Sequence, residues 1–242
     1  MARTKGRPGA SIGDVLRSLA FYAVFYGATV LYVLAALTAL AIIGRDQFIG
    51  VVHGWSRFHF ACVTGLLGIR VAIEGRPPAS GVLVALKHES FFEAIDLPTL
   101  LDRPAIIAKA ELLRIPLWGR TARAYGLVPV ERDQGAKALR AMLTAARSLV
   151  AEQRPLAIFP EGTRVPHGET RPLQSGFAAL YKLLGLPVVP IAVDSGPFYH
   201  RRWKRRGTLT IRIGEPIPPG LPRAEIEARV FEAINVLNEV DG

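Results

Sequence analysis

With 242 residues, 50% of them hydrophobic, a mean hydropathy of +0.27 and a formal charge of +10, the chain is long enough for one large domain or two small ones and is unusually apolar for a soluble protein. Its charge implies an anionic partner: nucleic acid, a phospholipid surface or a phosphorylated substrate. The single cysteine, Cys62, excludes an intrachain disulfide, and no histidine spacing resembles a structural zinc site, so no metal and no cofactor is expected.

The first element is an apolar helix. No residue from Ser18 to Gly44 is charged. A helix of that length, at ~1.5 Å per residue, covers a hydrocarbon core of ~30 Å with some tilt. The run exceeds the ~7–15 residues of a signal-peptide core, and no small-x-small site ends it. A second apolar segment, Gln47 to Ile69, carries His53, Trp55, Arg57 and His59 and is less suited to cross a bilayer alone. It packs on the first helix or lies with its polar face at the headgroups. Residues 12–69 therefore read as a membrane-bound helical hairpin, with Arg45 and Asp46 in its turn, that either spans the bilayer or dips into one leaflet. Arg3, Lys5, Arg7 and Arg17 precede it and Arg70 and Arg76 follow, which places both ends on the cytoplasmic face of the inner membrane.

After Ile69 the pattern changes. Short apolar runs, Val82–Leu86, Ala105–Ala108, Gly126–Val130, Pro155–Phe159, Val188–Val193 and Thr208–Ile213, read as strands, with Arg70–Glu74 a candidate seventh. Between them lie helical patterns at Phe91–Leu101, Gln134–Glu152, Gln174–Leu184 and Arg223–Val240. The alternation predicts an α/β fold, a mixed sheet flanked by helices, for residues 70–242, with residues 1–69 as the membrane-associated hairpin. The run HRRWKRR, His200 to Arg206, is the densest basic patch. It reads either as a contact for an anionic membrane surface, which Trp203 suits, or as a solvated loop between two strands. No nucleic-acid module accompanies it, so no nucleic acid is expected.

Three polar clusters follow three of these strands, where α/β folds build sites. His88 follows Val82–Leu86, Arg132 follows Gly126–Val130, and FPEGTR, Phe159 to Arg164, follows Pro155–Phe159. His88 has a carboxylate five residues on, Glu93, and a competing one at Asp96. Ser90-Phe-Phe-Glu93 also fits a capping box, so Glu93 has a helix-starting role available beside any chemical one. His53, His59, His167 and His200 show no functional pattern.

Four blocks in order, His88 with Glu93, Lys109–Pro116 leading to Gly126–Arg132, Phe159–Arg164, and Val188–Val193, resemble the glycerolipid acyltransferase family, the membrane lysophosphatidic acid acyltransferases in particular. The family writes H-x4-D where this chain has H-x4-E. The resemblance implies acyl transfer from acyl-CoA or acyl carrier protein to the sn-2 hydroxyl of lysophosphatidic acid, giving phosphatidic acid. It implies His88 as general base, a role a neutral imidazole suits near pH 7, with Glu93 as its orienting carboxylate. It also implies substrate-binding roles for Lys109, Arg132, Glu161, Gly162, Thr163 and Arg164, whose cations suit a phosphate. No acyl-enzyme is expected, so Ser90 and Thr163 are not nucleophiles. Two alternatives remain open: another acceptor such as a lyso-ornithine lipid, and a non-catalytic membrane-surface binding protein.

Overall fold

The computed structural model describes residues 10–78, 80–130 and 135–238. Helix α1, Ile12–Thr38, starts on a capping box in which Ser11 and Asp14 satisfy each other's backbone donors. It runs on through a π-helical turn, Ala39–Ile43, to Gly44, whose φ of 143° reverses the chain. Helix α2, Arg45–Gly65, returns antiparallel to it. Together Ile12–Ile43 form a 32-residue helix of hydropathy 2.1, long and apolar enough to cross a membrane by length and composition. Only 11% of that apolar window is buried, and Leu16, Val30, Leu31 and Ile42 point outward.

The rest is a seven-stranded sheet. Strands β1 (Ile69–Glu74), β2 (Leu83–Leu86), β3 (Ala105–Lys109), β4 (Leu127–Val130), β5 (Leu156–Ile158), β6 (Val188–Val193) and β7 (Gly207–Ile213) take the order β1-β7-β6-β2-β5-β3-β4. All neighbouring pairs are parallel except β6 with β7. Side chains alternate between two cores, as the pleat requires. Val84, Leu86, Val189, Ile191 and Leu209 face the hairpin and α3 (Phe92–Leu100), while Leu83, Ala85, Leu156 and Val188 face the opposite layer. That layer is α5 (Gly135–Ala151), α6 (Ser175–Leu184) and α7 (Arg223–Asn235). Burial on both faces explains why the strands read as unbroken apolar runs.

The sequence reading missed one stretch. Between β3 and β4 lie a 3-10 turn, Ala110–Arg114, and α4, Trp118–Tyr125. Pro116 and Leu117, whose φ is 61°, separate them and break any helical period.

The hairpin is not a separate appendage. Phe21, Phe25, Cys62 and Val63 share one core cluster with the sheet. The HRRWKRR run connects β6 to β7 and is packed against α1, not uniformly presented to a surface. Lys204 is buried, its backbone N–H donating to Ser18 Oγ at 2.8 Å and its ammonium lying 3.7 Å over the Tyr199 ring. Burial draws the Lys204 ammonium down to about 8.

Candidate active site

The carboxyl ends of β2, β5 and β3 lie side by side, ~4.8 Å apart per strand. His88, the Gly162–Arg164 turn and Lys109 therefore meet at one edge although they are far apart in the chain. All five residues line a groove of about 2050 Å³ that begins between the hairpin helices at Val30 and Trp55.

The turn after β2 sets His88. Val165 N–H donates to His88 O at 2.7 Å, tying the turn to the FPEGTR segment. The helix starts at Phe92, later than expected, so His88 sits before it and its ring folds over the first turn. His88 Nδ1 meets Glu93 Oε1 at 3.0 Å, and the ring stacks on Phe159 with centroids 4.1 Å apart. With Nδ1 engaged, Nε2 is the nitrogen left for the groove.

Glu93 is held by four further donors. The backbone N–H groups of Glu89 and Ser90 reach Oε1 at 2.6 Å each. The hydroxyls of Ser90 and Ser195 reach Oε2 at 3.0 and 2.7 Å. Burial by itself would raise the Glu93 carboxyl, but the His88 hydrogen bond and charge, with the Ser90 and Ser195 bonds, bring it below the usual carboxylate range. An ionised Glu93 accepts only, so Nδ1 carries the proton and Nε2 presents a lone pair. The expected capping box does not form: the N-cap is Phe91, with no side-chain cap bond, and Ser90 Oγ instead accepts from Phe92 N–H at 3.0 Å in the turn before the helix, while Glu93 still takes Ser90 N–H. Asp96 is engaged elsewhere, at 2.9 Å from His59 Nδ1.

The FPEGTR turn needs its glycine. Gly162 has φ 72°, where any Cβ is strained, and its N–H donates to Phe159 O at 2.9 Å. Arg164 is exposed, its guanidinium 4.4 Å over the Phe91 ring. Lys109 is exposed at the end of β3. Neither cation has a carboxylate partner among the described residues.

Glu161 departs from the expected substrate contact. It is turned away from the groove, its Oε1 accepting from Lys87 Nζ at 2.8 Å in a fully buried pair. Lys87 also donates to Glu169 O at 3.0 Å and Asn235 Oδ1 at 2.8 Å, so it pins the FPEGTR turn to α7 from behind. Arg132 lies outside the described residues.

Sequence reasoning overlooked Ser195, two residues past the end of β6, and two histidine–carboxylate pairs besides His88–Glu93, namely His59–Asp96 and His167–Glu89. His167 Nδ1 lies 3.0 Å from Glu89 Oε1, and Gly196 N–H donates to Glu89 Oε2 at 2.7 Å. Burial, with Glu93 nearby, pushes the Glu89 carboxyl up to about 8 against the Gly196 bond. The only available signal was position: both loops follow the carboxyl ends of strands.

Residues 68–194 match the family model described as Acyltransferase, a span that contains His88, Glu93, Lys109, Arg132 and Phe159–Arg164. This chain belongs to the acyltransferase family. Similar acyltransferases include the 1-acyl-sn-glycerol-3-phosphate acyltransferase of Pseudomonas aeruginosa, 29% identical over 81% of this chain and 75% of that protein. The human 1-acyl-sn-glycerol-3-phosphate acyltransferase beta is 28% identical over 89% of this chain and 83% of its own length. The acyltransferase also shares its fold with the crystal structure of the 1-acyl-sn-glycerophosphate acyltransferase PlsC from Thermotoga maritima. The TM-score is 0.74 at 21% identity, covering 93% of this chain and 96% of that one.

Proposed function

We propose that this acyltransferase moves a fatty acyl group from a thioester donor, acyl-CoA or acyl carrier protein, to the sn-2 hydroxyl of lysophosphatidic acid, giving phosphatidic acid. The observation that carries the reading is the His88 Nδ1–Glu93 contact of 3.0 Å beside a groove that Lys109 and Arg164 also line, two cations without carboxylate partners among the described residues. His88 Nε2 takes the proton of the acceptor hydroxyl, and the oxygen attacks the thioester carbonyl. Glu93 stabilises the imidazolium that forms. Collapse of the tetrahedral intermediate breaks the carbon–sulfur bond, and the leaving thiolate takes the proton back from His88.

The acceptor phosphate is assigned to Arg164 and Lys109, joined by Arg132 two residues beyond β4 in the chain; planar guanidinium forks match phosphate oxygens. Gly162 and Thr163 shape the turn beside it, and Glu161 supports that turn through Lys87. A serine acyl-enzyme is disfavoured, because Ser90 and Ser195 are fully buried and spend their hydroxyl protons on Glu93.

The membrane role is assigned to the outward apolar face of α1. The hairpin touches the sheet domain at both ends. Tyr22 OH donates to Arg202 O at 2.6 Å near one end, and Arg45 pairs with Glu152 at 3.1 Å at the turn. A hairpin crossing a bilayer would carry its turn ~30 Å away from a domain on one side. This favours a hairpin lying along the domain and in one leaflet. Water-soluble thioester donors would favour the leaflet on the cytoplasmic side of the inner membrane.

The test is His88→Ala assayed with a panel of lyso-lipid acceptors and defined thioesters. The expected outcome is a kcat lower by ~10²–10⁴ with membrane partition unchanged. Near-full activity of the variant would remove His88 from the mechanism, and a preference for a phosphate-free acceptor would overturn the substrate.

A further inference from the structure

Three buried polar side chains behind the active site take no part in the chemistry above. His59, on α2, meets Asp96 Oδ1 through Nδ1 at 2.9 Å and the Tyr199 hydroxyl through Nε2 at 2.7 Å. None of the three is more than 4% exposed. Burying polar groups is costly, and a well-packed apolar trio would fill the same space without that cost. Such a network persists when it fixes a register that apolar contacts leave free.

The register here is that of Glu93. Asp96 lies three residues after Glu93 on α3, so the two carboxylates are neighbours on the helix surface. Tyr199 N–H donates to Ser195 O at 2.8 Å, and Ser195 Oγ donates to Glu93 Oε2 at 2.7 Å. The connections form a closed ring, from Glu93 along α3 to Asp96, across to His59, on to Tyr199, and back through Ser195 to Glu93.

The direction of each bond follows from chemistry. Burial holds the Tyr199 phenol well above its usual range, so it keeps its proton and donates to His59 Nε2. His59 Nδ1–H then donates to Asp96. Asp96 Oδ2 has no hydrogen-bond partner, which leaves His59 as the anchor of that carboxylate. The same Tyr199 accepts from Lys204 Nζ at 2.8 Å through its carbonyl, and Lys204 N–H donates to Ser18 on α1. Both hairpin helices thus bear on the ring.

We infer that His59, Asp96 and Tyr199 are positioning residues, locking α3 and the loop after β6 to the hairpin so that the Glu93 carboxylate stays on His88 Nδ1. The seat of the hairpin then governs turnover as well as location. The inference rests on the proposed pairing of His88 with Glu93.

Tyr199→Phe is the informative change, since it removes one hydroxyl and keeps the ring that packs on Phe21, His59 and Phe92. Asp96→Ala serves as a second variant that breaks the ring at another point, because it removes the acceptor of the His59 Nδ1–H bond. Each is expected to lower kcat five- to twentyfold, with KM for lysophosphatidic acid within twofold of the parent. In a Glu93→Gln background, Tyr199→Phe is expected to add nothing, because its effect runs through that carboxylate. Full activity of Tyr199→Phe and Asp96→Ala, or a loss that multiplies with that of Glu93→Gln, overturns the inference. The Glu93→Gln single variant separates the two levels: if it is as active as the parent, the His88–Glu93 reading itself fails.

Discussion

Replacing Glu93 by Gln removes a charge while nearly preserving shape, and the structure sets the size of the effect. Two backbone N–H groups, from Glu89 and Ser90, converge on Oε1 at 2.6 Å. Neither can accept, so the Gln carbonyl is held at that position and still receives His88 Nδ1–H. The Gln amide group then faces the hydroxyls of Ser90 and Ser195, which can rotate to accept. The imidazole therefore keeps its tautomer, unlike the triad case in which an Asp→Asn change reverses it at a cost of ~10⁴ in rate. What is lost is the attraction between carboxylate and imidazolium. At ~4 Å and an effective dielectric of ~20 that is at most about 4 kcal/mol. A fixed carbonyl dipole replaces part of it, so kcat should fall by ~10²–10³ at 1.36 kcal/mol per decade. Steady-state acyl transfer from a defined thioester, over a range of lysophosphatidic acid concentrations, reads kcat and KM separately. KM should change less than about threefold, because the proposed phosphate site, at Lys109 and Arg164, lies apart from Glu93. A kcat within threefold of the parent would refute the electrostatic role assigned to Glu93 and leave it as an acceptor for the backbone N–H groups of the turn.

Arg164→Ala should raise KM for lysophosphatidic acid roughly ten- to hundredfold, as expected for a charge-assisted contact of ~1.5–3 kcal/mol, with kcat little changed. A shift in the donor's KM instead would move Arg164 to the thioester site. Glu89 makes a pH prediction. A carboxyl raised on folding to about 8 contributes stability that is full below the ordinary value of 4.5 and is lost as pH rises through about 8. The melting temperature of the parent should therefore fall between pH 4.5 and 8.5 relative to Glu89→Gln, and parallel melting curves for the two proteins would contradict this. Deleting residues 1–44 should yield an aggregated chain, because Phe21 and Phe25 leave the core cluster shared with the sheet; size exclusion and circular dichroism report it, and a monomeric, active fragment would show the hairpin to be dispensable for folding.

The residues of the candidate site stand out in the sequence because their signals are local. His88, Glu93 and FPEGTR are compact patterns, and turn, cap and glycine at φ 72° are decided by a few neighbouring residues. The strands were legible because burial on both faces leaves unbroken apolar runs, and α1 because its apolar stretch is long. What the sequence left open was direction and partnership. Glu161 was expected at the substrate and faces Lys87 instead, 74 residues away; Ser195 reaches Glu93 across 102 residues and His59 reaches Tyr199 across 140. Those pairings exist because β2 lies between β5 and β6 and because the hairpin is seated on α3. The order of strands in a sheet is chosen by the packing of whole layers, so no local pattern announces which buried polar groups it will bring into contact.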